Sequence, residues 1–163
     1  MVAVAEKNKK TIREGKYLTF VLSDEEYGIE ILKVREIIGL MDITSVPQTP
    51  DYMKGVINLR GKVIPVIDLR SKFSMPEHEH TEETCTIVVE VGNTLIGIIV
   101  DSVSEVSEIG SEEIEETPHL GQEINTSFIM GMGKLKEKLI ILLDIDKVLS
   151  GEELEIVEEI ADN

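Results

Sequence analysis

His78-Glu79-His80 is the part of this sequence nearest to a metal site, since two imidazoles and a carboxylate can serve as zinc or nickel ligands. The spacing argues against it. Ligand pairs on a helix favour i, i+4, and no third His or closing Cys stands nearby, so a solvated linker is the better reading. His119, alone behind Pro118, reads as a loop histidine. Cys85 has the chemistry of a nucleophile, but it opens an apolar run, where a small thiol is usually a core residue. Gly131-Met132-Gly133-Lys134 lacks the further Gly-Lys-Ser/Thr spacing and the following helix of a phosphate loop. Asp144-Ile145-Asp146 begins like a calcium loop, yet Val148 and Leu149 stand where oxygen ligands and a turn glycine belong. Asp144, like Asp68, is instead placed to cap a short helical segment that follows it. No catalytic group, metal or cofactor is expected. Arg60, in Asn58-Leu59-Arg60-Gly61 between two apolar runs, cannot be core. Its plainer reading is a solvated arginine; its sharper one is an interface anchor, because planar donors on an apolar stem suit a partner surface.

The elements that must position these residues are short, rich in Val and Ile, and divided by turn residues, which favours strands. One set spans 17–22, 27–31, 34–38, 56–59 and 63–67; a second spans 87–91, 95–100, 103–106, 128–132 and 139–143. Sliding the sequence on itself superposes the two sets. Gly28, Ile31, Val34, Glu36 and Ile37 fall on Gly97, Val100, Val103, Glu105 and Val106, while Gly55, Val63, Ile64, Val66 and Asp68 fall on Gly131, Leu139, Ile140, Leu142 and Asp144. The turn matching Arg60 reads Lys136-Glu137-Lys138, so the two halves are expected to do different jobs. Five short strands curve too tightly for a flat sheet, so each half is expected to roll into a small barrel and the two to pack together. Pro65 predicts an irregular or edge strand, and Gly92-Asn93 a hairpin turn. The expected organisation is a polar, lysine-bearing tail over 1–15, a first barrel half over 16–73, a polar linker over 74–84, a second half over 85–150, and an acidic tail or short helix over 151–163. In that last stretch Leu154, Val157 and Ile160 share one helical face. Residues 110–125 are expected to form an acidic loop in the second half.

Bulk properties bound the rest. The 163 residues suit one compact unit, and 42% hydrophobic residues supply its core. With 16 Lys and Arg against 32 Asp and Glu, the net charge of −16 repels nucleic acid and anionic lipid surfaces. No run approaches the roughly 20 apolar residues of a membrane-spanning helix, and the first ten residues lack the apolar core of a signal peptide, so a cytoplasmic location is expected. Cys85, the one cysteine, forms no internal disulfide.

Three runs carry a resemblance: 27–37 (YGIEILKVREI), 55–61 (GVINLRG) and 65–69 (PVIDL), with 97–106 (GIIVDSVSEV) in the second half. Over about 16–150 the sequence resembles the CheW family of chemotaxis coupling proteins. That resemblance implies two five-stranded SH3-like barrels and a non-enzymatic adaptor. Its implied partners are the regulatory domain of the histidine kinase CheA and the cytoplasmic tip of methyl-accepting chemoreceptors, in membrane-associated arrays. It also implies that the receptor tip docks between the barrels, at positions matching Val34, Glu36, Gly55, Arg60, Val103 and Val106, and that the kinase contacts barrel ends near Ile29, Met41, Ile43 and Pro47. The acidic tail and the loop around 112–116 depart from the family pattern without touching these positions. With no length to spare for a fused receiver or kinase domain, a free-standing coupler is expected. A small-molecule carrier is the competing reading, since a barrel can enclose a ligand when its interior is not filled.

Overall fold

The computed structural model describes residues 14–117 and 127–162. The expected tail up to Arg13, and residues 118–126 of and beside the expected acidic loop, His119 among them, lie outside the described residues. In chain order the elements are β1 (Gly15–Leu22), β2 (Glu25–Glu30), a 3₁₀ turn (Ile31–Lys33), β3 (Val34–Gly39), β4 (Met53–Leu59), β5 (Lys62–Asp68) and the short α1 (Leu69–Lys72). The second half continues with β6 (Cys85–Val91), β7 (Thr94–Val100), β8 (Ser102–Ile109), a 3₁₀ turn (Ser111–Glu113), β9 (Ile114–Glu115), β10 (Ile129–Leu135), β11 (Lys138–Leu143), α2 (Ile145–Val148) and α3 (Gly151–Asp162). All ten expected strands form; the two-residue β9 was not anticipated.

The strands build two SH3-like barrels, but not one from each half. One sheet runs β3-β6-β7-β5-β4 and the other β8-β1-β2-β11-β10-β9. Each half therefore lends its first hairpin to the other half's sheet, which corrects the expectation that 16–73 and 85–150 close separately. The exchange obeys the repeat residue by residue. Val66 of β5 lies beside Gly97 of β7 in a parallel ladder, and their repeat counterparts Leu142 of β11 and Gly28 of β2 lie beside each other in the same way. Ile37 opposite Ile87 is matched by Val106 opposite Leu18. The glycines are needed there: a Cβ on Gly28 would stand 3.1 Å from the Leu142 side chain, and one on Gly97 2.8 Å from Thr86.

Exchange explains the burial. Runs of four buried residues in β1, β5 and β6 break the alternation of a strand with one wet face, because these strands are covered on both sides. In β6, Val88 points into the first barrel, with Ile57, Ile64, Val66 and Ile99. Its neighbours Ile87 and Val89 point the other way, into a large core shared by both sheets. Tyr17, Ile109, Ile140 and Leu142 fill part of the second barrel. Aromatic rings cross the shared core in a continuous stack, Phe20 on Tyr27, Tyr27 on Phe73 and Phe73 on Phe128. Pro65 lies in an inner strand rather than at an edge. It is tolerated because its opposite residue Val56 turns its N–H and C=O to Thr44, and the ladder with β7 starts only at Val66.

Both aspartates cap as expected. Asp68 accepts from the Arg70 amide (3.0 Å) and Asp144 from the Asp146 amide (3.1 Å). α3 opens with a reciprocal capping box between Ser150 and Glu153 and buries Val157 completely. Leu154 and Ile160 pack beside Val157 on the shared core.

Ion pairs tie the halves together, and the Arg70–Asp101 pair is the least exposed of them. Arg70 of the first half donates from Nε and Nη2 to both oxygens of Asp101 of the second (2.8 and 2.7 Å), while its Nη1 donates to the Pro76 carbonyl at the start of the linker. The Ser23 amide donates to the same Asp101 carboxylate. Asp146, the repeat counterpart of Arg70, pairs with Lys33 (2.8 Å), one residue past the counterpart of Asp101, in a more exposed setting. With side chains only 12% and 24% exposed, the Arg70 pair is the stronger clamp. Asp101→Asn is expected to cost about 1–3 kcal/mol in urea unfolding, because it leaves a buried-side guanidinium without its charge partner. The hydrogen bonds from Arg70 hold the Asp101 carboxyl below its ordinary range. This contribution is therefore complete above the unfolded value of about 4 and is lost as pH falls through the lower folded value. The gap between wild type and variant should shrink as pH falls below about 4.

Candidate functional site

In the first barrel β3 and β4 are the two edges of the sheet, and something must hold them together. The β4–β5 hairpin ends in a tight turn with Arg60 at φ 51° and Gly61 at φ 87°, braced by the Gly61 amide donating to Asn58 Oδ1 (2.8 Å). From this turn Arg60 reaches over to β3 and binds Glu36 with both arms, at 3.0 and 2.5 Å. The pair spans the barrel seam from one edge strand to the hairpin of the other. Its hydrogen bonds pull the Glu36 carboxyl below the usual carboxylate range and raise the guanidinium further. Arg60 is 69% exposed all the same, so solvent screens the pair and its contribution to folding is small. What it supplies is orientation, since a planar cation held at a barrel rim can be approached by a partner without being rebuilt.

The structure brings the expected residues together only in part. Glu36 and Arg60 meet directly. Gly55 is buried in β4, against Thr44 and Ile43. Val34 and Val103 are half-buried at repeat-related places on β3 and β8, both packed on the shared core. Val106 is 50% exposed on β8 and its counterpart Ile37 45% exposed on β3. Of the barrel-end residues, Met41 and Pro47 are exposed and Ile43 is half-buried against the first barrel's interior. Ile29 is a correction: its side chain is fully buried in the shared core, because β2 is covered on both faces, so it offers nothing to a partner.

Leu40, Val63 and Leu139 are exposed apolar residues that sequence reasoning did not single out as a surface. Val63 and Leu139 are repeat counterparts, which was the available signal. The Arg70–Asp101 clamp was also missed, because only the strand exchange brings the two together. The side chains considered for chemistry lie apart. His78 and His80 are exposed in the linker, where the His78 ring contacts the Glu79 carbonyl. Cys85 is half-buried at the start of β6, and burial pushes its thiol up, away from the reactive thiolate. Among the described residues no group of three His, Cys, Asp or Glu could hold a metal ion. No described helix is long and apolar enough to cross a membrane.

Known proteins are similar to this chain. The CheW-like domain model matches residues 16–153. The chemotaxis protein CheW of Klebsiella aerogenes is 44% identical over 145 residues, which span 89% of this chain and 87% of that protein. The chemotaxis protein CheW of Bacillus subtilis is 36% identical over 137 residues, covering 84% of this chain and 88% of its own. In structure, the scaffolding protein TtCheW from Thermoanaerobacter tengcongensis superposes with a TM-score of 0.78 at 35% sequence identity, covering 86% of this chain and 96% of its own. Similarity of this extent, in sequence and in fold alike, means that the chain belongs to the CheW family of chemotaxis coupling and scaffold proteins.

Proposed function

We propose that this protein is a non-enzymatic coupler that binds the cytoplasmic tip of methyl-accepting chemoreceptors and the regulatory domain of the kinase CheA at the same time, in the cytoplasm beneath the receptor array. The observation that carries the receptor half is the Glu36–Arg60 pair, a preformed and exposed polar anchor at the barrel rim. Anchors of this kind, beside apolar side chains such as Ile37, are what partner surfaces favour. Val34, Gly55, Val103 and Val106 complete the receptor surface by family resemblance, with Gly55 acting through the backbone it shapes. Met41, Ile43 and Pro47, on the loop between β3 and β4, are the kinase-side candidates that remain once Ile29 is assigned to the core. A small-molecule carrier is the weaker reading, since side chains of the chain itself fill the first barrel and part of the second. Simultaneous binding is the test: a receptor-tip fragment and the kinase regulatory domain should enter one complex with this chain.

A further inference from the structure

The two barrels are built on one pattern, yet three apolar positions that plug the first are polar in the second. Inside the first, Val88, Leu95 and Ile38 pack with Ile64 and Leu59. The repeat places Thr19, Glu26 and Ser107 at the corresponding positions of the second barrel, against Ile140 and Leu135. Three apolar plugs have become a hydroxyl, a carboxylate and a second hydroxyl. The consequence is a cleft of about 460 Å³ at the mouth of the second barrel, with Thr19 at its base and Val106, Leu135 and Ile140 on its walls. Thr19 is 1% exposed and bonds both the carbonyl and the amide of Glu105, so the cleft is a built feature of the fold.

The rim repeats the seam of the first barrel with its lock undone. Glu105 stands where Glu36 stands and Lys136 where Arg60 stands, and both line the cleft. Neither makes an ion pair among the described residues, whereas Glu36 and Arg60 hold each other with two hydrogen bonds. Glu108 lines the same rim, also without an ion pair, while Glu26 has Lys138 at 3.9 Å. The carboxylate is in place and its arginine is not.

We infer that the cleft receives a basic side chain of the receptor tip, an arginine or lysine whose cation sits against Glu105 and whose apolar stem lies on Val106, Leu135 and Ile140. This rests on the coupler reading above and adds to it the chemistry of one contact. Charge complementarity favours a cationic occupant, and Val106 joins the cleft to the proposed receptor surface.

Two variants of the full chain test it, with the isolated receptor tip and the kinase regulatory domain as separate probes. Thr19→Val/Glu26→Leu/Ser107→Ile restores the plugs of the first barrel. Its melting temperature should hold or rise, while its affinity for the tip falls at least about tenfold. Glu105→Lys, at an exposed position, should weaken tip binding by a similar factor with an unchanged melting temperature, and it answers the question if the plugged variant does not fold. Both should bind the kinase domain as wild type does. Variants that bind the tip within about twofold of wild type overturn the inference alone, as does a loss confined to the kinase domain or to self-association of the chain. A wild-type chain that fails to bind the tip overturns the coupler reading and this contact with it.

Discussion

Gly55→Ala is expected to lower the unfolding free energy by about 3 kcal/mol or more. Gly55 has φ 143°, a conformation that side-chain-bearing residues rarely adopt. A Cβ there would lie 2.1 Å from the Thr44 carbonyl oxygen and 2.9 Å from the Ile43 side chain. The oxygen is backbone, and it is held in place by the reciprocal bonds between Thr44 and Val56 (2.8 and 2.9 Å). Relief therefore requires separating the β3–β4 loop from β4 rather than rotating a side chain. Urea unfolding measures the cost. Wild-type stability in Gly55→Ala would contradict the packing described here.

Arg60→Ala should give the opposite pattern. It removes an exposed, solvent-screened ion pair, a change that moves stability little. If Arg60 anchors the receptor tip as a hot-spot residue, truncation costs about 2 kcal/mol or more in binding, a loss of roughly 30-fold. The melting temperature should barely move while tip affinity falls and kinase affinity stays. Glu36→Gln separates orientation from contact: it leaves the guanidinium but weakens its hold, and should give a smaller loss than Arg60→Ala. Normal tip binding by Arg60→Ala would remove the rim pair from the receptor surface.

The contrast between Gly55 and Arg60 also marks what the sequence could reveal. Short Val- and Ile-rich runs such as 87–91 made the strands legible, and Asp68 and Asp144 announced their caps, because both signals are local. The hairpin exchange was not legible. The side chains of β1 and β2 alternate in the same way whichever sheet receives the hairpin, and only long-range pairing with β8 and β11 decides it. Ile29 was misplaced for the same reason, since burial on both faces of β2 erases the alternation that would have marked it as inward. The Glu36–Arg60 pair is invisible until the barrel closes and brings two edge strands together. The partly plugged second barrel was written in the repeat itself, in Thr19 against Val88 and Glu26 against Leu95. Its meaning appears only when those positions are seen to point into a barrel.

Sedimentation of the chain with a receptor-tip fragment and the kinase regulatory domain tests the coupler most directly. A coupler with separate surfaces for the two partners should give a single boundary containing all three proteins, and Arg60→Ala should release the receptor fragment from that boundary while the kinase domain remains. Two boundaries, with the partners displacing each other from this chain, would contradict simultaneous binding and with it the coupling function.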